Sequence, residues 1–232
     1  SIRRQRQMCI RDRGCMEPIA KIRTDFPEKF GVPRQAGLVP ELEGRVIFEP
    51  AFRSPDAVRG LEGFSHIWLV WLFSKSPTQW SPTVRPPRLG GNERMGVFAT
   101  RSPVRPNPIG LSCVRLVRVD PGPELVVAGA DLVDATPILD IKPYVPADAQ
   151  PDARYGFLSR NASYRLRVHI PDELLAQVPD TKRKALVGLL SEDPRPAYQR
   201  DGRSYGVAFA DYNVRFHVED ETLVVDAITQ LG

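Results

Sequence analysis

Arg85, Arg88, Arg94, Arg101 and Arg105 fall within one stretch, Thr83–Leu111 (TVRPPRLGGNERMGVFATRSPVRPNPIGL), where Glu93 is the only acid. A guanidinium presents a rigid fork of donors suited to a phosphate, a carboxylate or the face of a base. The same stretch holds five prolines and four glycines. Proline fixes φ and glycine admits backbone that other residues avoid, so the stretch reads as a shaped, irregular loop. Loops of this length inside compact domains are uncommon unless they bind something. This one is built to hold an anion.

The charge around it is lopsided. From Arg85 to Arg118 there are seven arginines and one acid, Glu93. From Val119 to Asp140 there are five acids (Asp120, Glu124, Asp131, Asp134, Asp140) and no Lys or Arg. That sequence of charge fits a site contacting an anionic polymer while also holding a cationic or amine-bearing group. It fits equally well two segments that pair across neighbouring strands. The net charge of +4 over 232 residues is less informative, because residues 1–15 carry Arg3, Arg4, Arg6, Arg11 and Arg13 against Asp12. The rest of the chain balances at 27 basic and 27 acidic residues. The leader, SIRRQRQMCIRDRGC, lacks the apolar core of a signal peptide. It reads as a basic arm for nucleic acid or, the preferred reading, as an extension foreign to the natural chain, which would start at Met16; folded-type patterning begins abruptly at Ile19.

Other chemistry is sparse. His66, His169 and His217 lack ligand spacing, so no metal is expected; His66 opens an apolar strand and is the one with a claim to line a site. There is no GxGxxG after a strand, no GxxxxGK[ST], no HExxH and no paired CxxC. Outside the leader, Cys113 is the single cysteine, within the strand-like LSCVRLVRV, and reads as core rather than nucleophile. An internal disulfide is then impossible, and a reducing, cytoplasmic setting is expected. No apolar run approaches 18 residues, so no membrane-spanning helix is expected.

These residues must be positioned mainly by strands. Candidates are Ile19–Thr24, Arg45–Phe48, Ile67–Phe73, Met95–Ala99, Ser112–Val119, Glu124–Ala130 and a short Asp131–Val133, with a helical turn or two at Asp56–Leu61. Many short strands without intervening long helices argue for a small barrel or sandwich and against a doubly wound sheet. The expected division is a catalytic domain over 16–147, a polar linker over 148–162 and a small α+β domain over 163–232. In the last, Tyr164–Ile170, Tyr205–Phe209, Asn213–Val218 and Leu223–Ile228 alternate as strands. Pro171–Val178 and Thr181–Leu190 read as helices.

At this level of detail the residues resemble a family. VPRQAGLVP (Val32–Pro40), AVRGLEGFSHIW (Ala57–Trp68), RPPRLGGNERMGVFATRSPVRPNPIG (Arg85–Gly110), DLVDATPILDIKPYVP (Asp131–Pro146) and EDPRPAY (Glu192–Tyr198) are similar to the TrmO (YaeB/TsaA-like) tRNA methyltransferases. The resemblance implies a single-sheet β-barrel catalytic domain and a homodimer. It also implies use of S-adenosylmethionine to methylate N6 of threonylcarbamoyladenosine at position 37, beside the anticodon of threonine tRNAs. A cofactor without phosphates explains the missing GxGxxG.

Carried over residue by residue, the resemblance implies a cofactor pocket drawn from Pro33, Arg34, Gln35, Ser74, Lys75, Arg101, Leu111, Asp131, Leu132, Val133 and Asp134. The acids of DLVD suit the cofactor's positive centres or its ribose hydroxyls; strand-end turn formation is their alternative. The acceptor N6 lies between a purine and a carbonyl and is electron-poor, so a base or acceptor for its N–H should help. Asp134 is the first candidate, with His66 and Tyr144 behind it. Arg85, Arg88, Arg94 and Arg105 are candidates for the tRNA backbone or the threonyl carboxylate, and Lys142 and Tyr144 for an anticodon-loop base. Arg195 and Tyr198 contribute to the tRNA site or to the dimer contact. Two other readings stay open: a methyltransferase of the same fold with another acceptor, and a non-catalytic RNA-binding module.

Overall fold

In the first half of the chain apolar residues alternate with polar ones, and that period of two closes a barrel. The computed structural model describes residues 16–77, 79–86, 93–161, 164–195 and 203–231. The strands of this half are β1 (Ala20–Arg23), β2 (Glu43–Phe48), β3 (His66–Leu72), β4 (Thr83–Val84), β5 (Met95–Gly96), β6 (Ile109–Asp120), β7 (Glu124–Ala128) and β8 (Thr136–Pro143). Six of them form the closed barrel in the order β1-β2-β7-β6-β3-β8, every pair antiparallel, while β4 and β5 make a separate two-stranded ribbon. Closure removes the sheet edges. The inward residues Ile22, Val46, Ile67, Leu69, Val114, Leu125, Val127 and Ile138 pack the interior, so the barrel is a filled core and not a channel.

Gly110 shows how tightly one wall is built. A Cβ there would stand 2.2 Å from the Trp71 indole, which lies across the glycine. Trp71 pairs with Gly110 in the β3–β6 register, so a side chain on one strand fills the place vacated on the next.

The second half makes a four-stranded sheet in the order β10-β11-β12-β9, from β9 (Arg167–His169), β10 (Tyr205–Phe209), β11 (Tyr212–Glu219) and β12 (Thr222–Gln230). Helices α1 (Asp172–Leu175) and α2 (Asp180–Ser191) accompany it, and Ala185, Leu186, Leu189 and Leu190 of α2 are buried. Its core extends beyond its own residues. Phe26, Val39 and Leu42, from the β1–β2 connection, are buried in the same cluster as Phe209, Phe216 and Leu186. The Phe26 and Phe209 rings lie 6.0 Å apart, and the Ala210 N–H donates to the Asp25 carbonyl at 2.7 Å. The small domain therefore packs on the long β1–β2 loop that carries Pro33, Arg34 and Gln35.

Several expectations change. Met95–Ala99 is no single strand: β5 ends at Gly96, and Val97–Ala99 is a 3-10 turn. Asp131–Val133 is a connection and not a strand; it joins β7 to β8, which are not neighbours in the barrel. Asp56–Leu61 holds 3-10 turns, Pro55–Val58 and Leu61–Gly63, rather than α-helix. The Thr83–Leu111 loop contains the β4–β5 ribbon, and its last three residues already belong to β6. β8 was not anticipated, because Pro137 and Pro143 break its strand signal and its pairing with β3 carries a bulge at Val70/Trp71. The leader lies outside the described residues.

Candidate functional site

A cavity of about 730 Å³ opens at the barrel end where β3 finishes and β6 begins. Its apolar walls are Trp71, Leu72, Phe73, Ile109 and Leu111, and its rim comes from the β1–β2 loop and the arginine-rich loop. The size and the mixture of apolar wall with few polar groups suit a small organic ligand.

The connection Ala130–Ala135 forms the floor. It passes over the end of β1, where the Thr24 hydroxyl donates to the Leu132 carbonyl at 2.9 Å and the Ala135 N–H donates to the Ile22 carbonyl at 2.8 Å. Leu132 is fully buried in the barrel core as a plug. Its neighbours Asp131 and Val133 line the cavity. Ala135 turns the chain with φ of 61°, and the Thr136 N–H closes the turn on the Val133 carbonyl at 3.2 Å.

Two glycines hold the rim against this floor. Gly129 has φ of +79°, and a Cβ on it would come within 3.1 Å of the Gly37 Cα. The Gly37 N–H donates to the Gly129 carbonyl at 2.8 Å. This close approach fixes the Pro33–Gln35 segment beside Asp131. The Ala36 N–H is one of the donors to the Asp131 carboxylate.

Asp131 is the chemically distinctive group. Burial pushes its carboxyl above the usual range; hydrogen bonds from Ser112, its own N–H and Ala36, with the charge of Arg101, pull the other way. Ser112 Oγ donates to Asp131 Oδ1 at 2.5 Å and accepts the Trp71 indole N–H at 2.9 Å. A half-buried carboxylate with a raised pKa, facing a cavity and oriented by a fixed relay, is suited to accept a proton or to face a positive centre.

Five cations line the same cavity: Lys29, Arg34, Lys75, Arg101 and Arg105. Each donates to a neutral oxygen. Lys29 reaches the Lys75 carbonyl, Lys75 the Pro27 carbonyl at 3.1 Å, Arg34 the Asp193 carbonyl at 3.4 Å, Arg101 the Gln35 side-chain oxygen at 2.7 Å and Arg105 the Thr100 carbonyl at 3.2 Å. Elsewhere several cations find acids, as in Lys21–Glu49, Arg118–Asp120 and Arg165–Glu192, while Arg53 and Arg94 also donate to neutral oxygens. Among the described residues Asp131 is the only acid lining the cavity, so the cavity's charge is strongly positive.

Of the sequence candidates, the cavity gathers Pro33, Arg34, Gln35, Ser74, Lys75, Arg101, Leu111, Asp131, Val133 and Arg105. Leu132 and Asp134 do not line it. Asp134 Oδ1 instead accepts the Thr24 N–H at 3.0 Å and lies 3.3 Å from Arg23 Nε, a brace between β1 and the floor. His66 and Tyr144 form an edge-to-face pair 6.3 Å apart near the opposite end of β3, about 16 Å of strand from Trp71. Lys142 is at that end too, ion-paired with Asp140 at 2.9 Å. Arg85 is exposed and Arg94 bonds Thr83 in the β4–β5 ribbon; neither lines the cavity. Arg195 grips the Asp193 carboxylate at 2.8 and 2.9 Å, and the same aspartate's carbonyl accepts Arg34, so Arg195 stands one residue behind the rim. Arg88 and Tyr198 lie outside the described residues. Sequence reasoning missed Lys29, Trp71, Ser112 and Phe98. Trp71 and Ser112 were hidden inside apolar strands, and Lys29 had only its nearness to VPRQ as a signal.

Residues 21–149 match the tRNA-methyltransferase O N-terminal domain, and residues 163–231 match the TrmO C-terminal domain. The chain belongs to the tRNA-methyltransferase O family. Within that family it is similar to the tRNA (adenine(37)-N6)-methyltransferase of Escherichia coli K12, 42% identical over 226 residues, covering 91% of this chain and 96% of that one. The Eikenella corrodens protein of the same name is 47% identical over 171 residues, covering 71% of this chain and 97% of its own. A crystal structure of TrmO from Pseudomonas aeruginosa superposes with a TM-score of 0.78 at 35% identity, covering 94% of this chain and 98% of that one. The barrel and the separate small sheet are thus the family's architecture.

Proposed function

We propose that this protein is an S-adenosylmethionine-dependent tRNA (adenine-N6)-methyltransferase whose acceptor is threonylcarbamoyladenosine at position 37 of threonine tRNA, and that it works as a homodimer. The observation that carries this reading is the cavity: five cations that, among the described residues, donate hydrogen bonds to neutral oxygens, around one half-buried, hydrogen-bonded Asp131.

The residues fit the cofactor. Trp71, Phe73, Ile109 and Leu111 offer apolar surface for a purine and a methyl group. Gln35 suits the adenine edge, Arg34 the cofactor's carboxylate, and Asp131 its positive centres or ribose hydroxyls. When bound, the cofactor supplies an electrophilic methyl group. The chain's own part is to hold the acceptor in line and to exclude water. We assign to Asp131 the role of accepting the hydrogen of the acceptor N6–H, a role for which the sequence put Asp134 first, with His66 and Tyr144 behind it. The cofactor carries a net positive charge at neutral pH, so the surplus cations are explained by the other substrate. Arg105, with Arg101, suits the threonyl carboxylate or a flanking phosphate.

Two measurements test the reading together. Calorimetric titration with S-adenosylmethionine should give saturable binding. Mass spectrometry of tRNA nucleosides after incubation should show threonylcarbamoyladenosine gaining one methyl. Binding without that gain would point to another acceptor, and no binding at near-millimolar cofactor would leave an RNA-binding module.

A further inference from the structure

Phe98 is the most exposed large apolar side chain among the described residues, at 75%. Its exposure does not come from a slack loop. The adjacent Val97 is buried, its N–H donates to the Pro82 carbonyl at 2.9 Å, and its own carbonyl accepts the Thr100 N–H at 3.1 Å and the Thr100 hydroxyl at 2.9 Å. The 3-10 turn Val97–Ala99 is thereby anchored, and it holds the ring at the cavity mouth. A phenyl ring has only two χ angles, so little entropy is lost when it meets a ligand.

Its surroundings select the kind of ligand. Phe98 shares the cavity with Leu111, itself 48% exposed, and with Arg101 and Arg105. An apolar ring beside guanidinium groups whose hydrogen bonds go to neutral oxygens matches an unpaired nucleotide, whose base stacks and whose phosphates are drawn to the cations. An apolar protein surface would cover the ring but leave the cavity's cations without counter-charge.

We propose that Phe98 is a stacking platform for one unpaired base of the RNA segment that enters the cavity, an assignment that rests on the tRNA methyl-transfer reading above. The ring fixes the strand's path at the mouth while the arginines neutralise its backbone. Stacking is indifferent to salt, whereas each phosphate contact adds to the salt dependence of binding.

The experiment is to measure binding of a tRNA anticodon stem–loop carrying a fluorescent 2-aminopurine in its loop, to wild type, F98A and F98W, across a salt series. S-adenosylmethionine affinity and oligomeric state are measured alongside. We expect F98A to weaken stem–loop binding by about tenfold with an unchanged salt slope and cofactor affinity. Wild type and F98W should quench the fluorophore, and F98A should not. Unchanged stem–loop affinity in F98A would overturn the assignment. So would a parallel loss of cofactor affinity, which would place the ring on the cofactor, or a change of oligomeric state, which would make it a contact between copies. Failure of wild type to bind the stem–loop would sink the tRNA reading itself and the assignment with it.

Discussion

The Ser112 hydroxyl donates to Asp131 at 2.5 Å while accepting the Trp71 indole N–H at 2.9 Å, so one buried serine orients both an aromatic wall and the one carboxylate that lines the cavity among the described residues. The two effects on Asp131 oppose each other: burial raises its pKa, and the serine's hydrogen bond lowers it. If turnover needs the carboxylate charged, activity falls as the pH drops through that pKa. Ser112→Ala removes a lowering influence, so the acid limb of the kcat/KM profile should move to higher pH. The alkaline side should keep its shape. An acid limb unmoved in Ser112→Ala would detach Asp131 from the chemistry.

Asp131→Asn separates activity from stability. A carboxyl whose folded pKa lies above its unfolded value stabilises the fold below the unfolded pKa. That contribution is lost as pH rises through the folded pKa. Near neutral pH the half-buried charge is therefore a burden, and the amide relieves it while its oxygen can still accept from Ser112. The expected outcome is a raised Tm at pH 7, a smaller difference in acid and loss of methyl transfer. A lowered Tm at neutral pH would mean that the charge itself holds the floor together.

Asp134 should behave in the opposite way. Its carboxylate accepts the Thr24 N–H and faces Arg23, outside the cavity lining. Asp134→Ala should lower stability by about 1–2 kcal/mol, because a backbone donor loses its partner. Turnover per folded molecule should stay close to wild type. Asp134→Asn keeps an acceptor and should recover most of the stability. Loss of turnover at unchanged Tm would make Asp134 catalytic after all.

How far the sequence reached can be seen in that pair. VPRQ and DLVD are visible in the chain, and their meeting at one cavity was expected from the family resemblance. What was not visible is which acid of DLVD faces the cavity. That depends on a connection between strands that are not neighbours, with Leu132 turned into the core and Ala135 at positive φ, and no local period encodes it. His66 was legible as a polar group opening an apolar strand and Tyr144 came with the resemblance, but only the barrel's register shows that they are near the far end of β3 from Trp71. Phe98 was absorbed into a supposed strand, Met95–Ala99, where alternation would have buried or exposed it without consequence. Three strands of the small domain were read closely because β10, β11 and β12 alternate without prolines, whereas β9 is only Arg167–His169 of the expected Tyr164–Ile170; the domain's packing on the β1–β2 loop rests on Phe26 and Val39, which are far away in sequence.

The pairing of Gly129 with Gly37 gives a test of how the rim is held. Gly129→Ala puts a side chain where φ is +79° and only 3.1 Å from the Gly37 Cα. The strain should lower stability by about 1–3 kcal/mol. It should also move the segment bearing Pro33, Arg34 and Gln35 away from Asp131. Gly122→Ala is the matched control, with φ of +118° but open space around its Cβ, in the β6–β7 turn. It carries backbone strain without the close approach. Both variants should melt earlier than wild type, and only Gly129→Ala should lose affinity for S-adenosylmethionine by calorimetry, measured well below either melting temperature. Equal cofactor affinity in the two would mean that the rim is held by the small domain, through Phe26 and the Arg34–Asp193 contact, and not by the glycine pair.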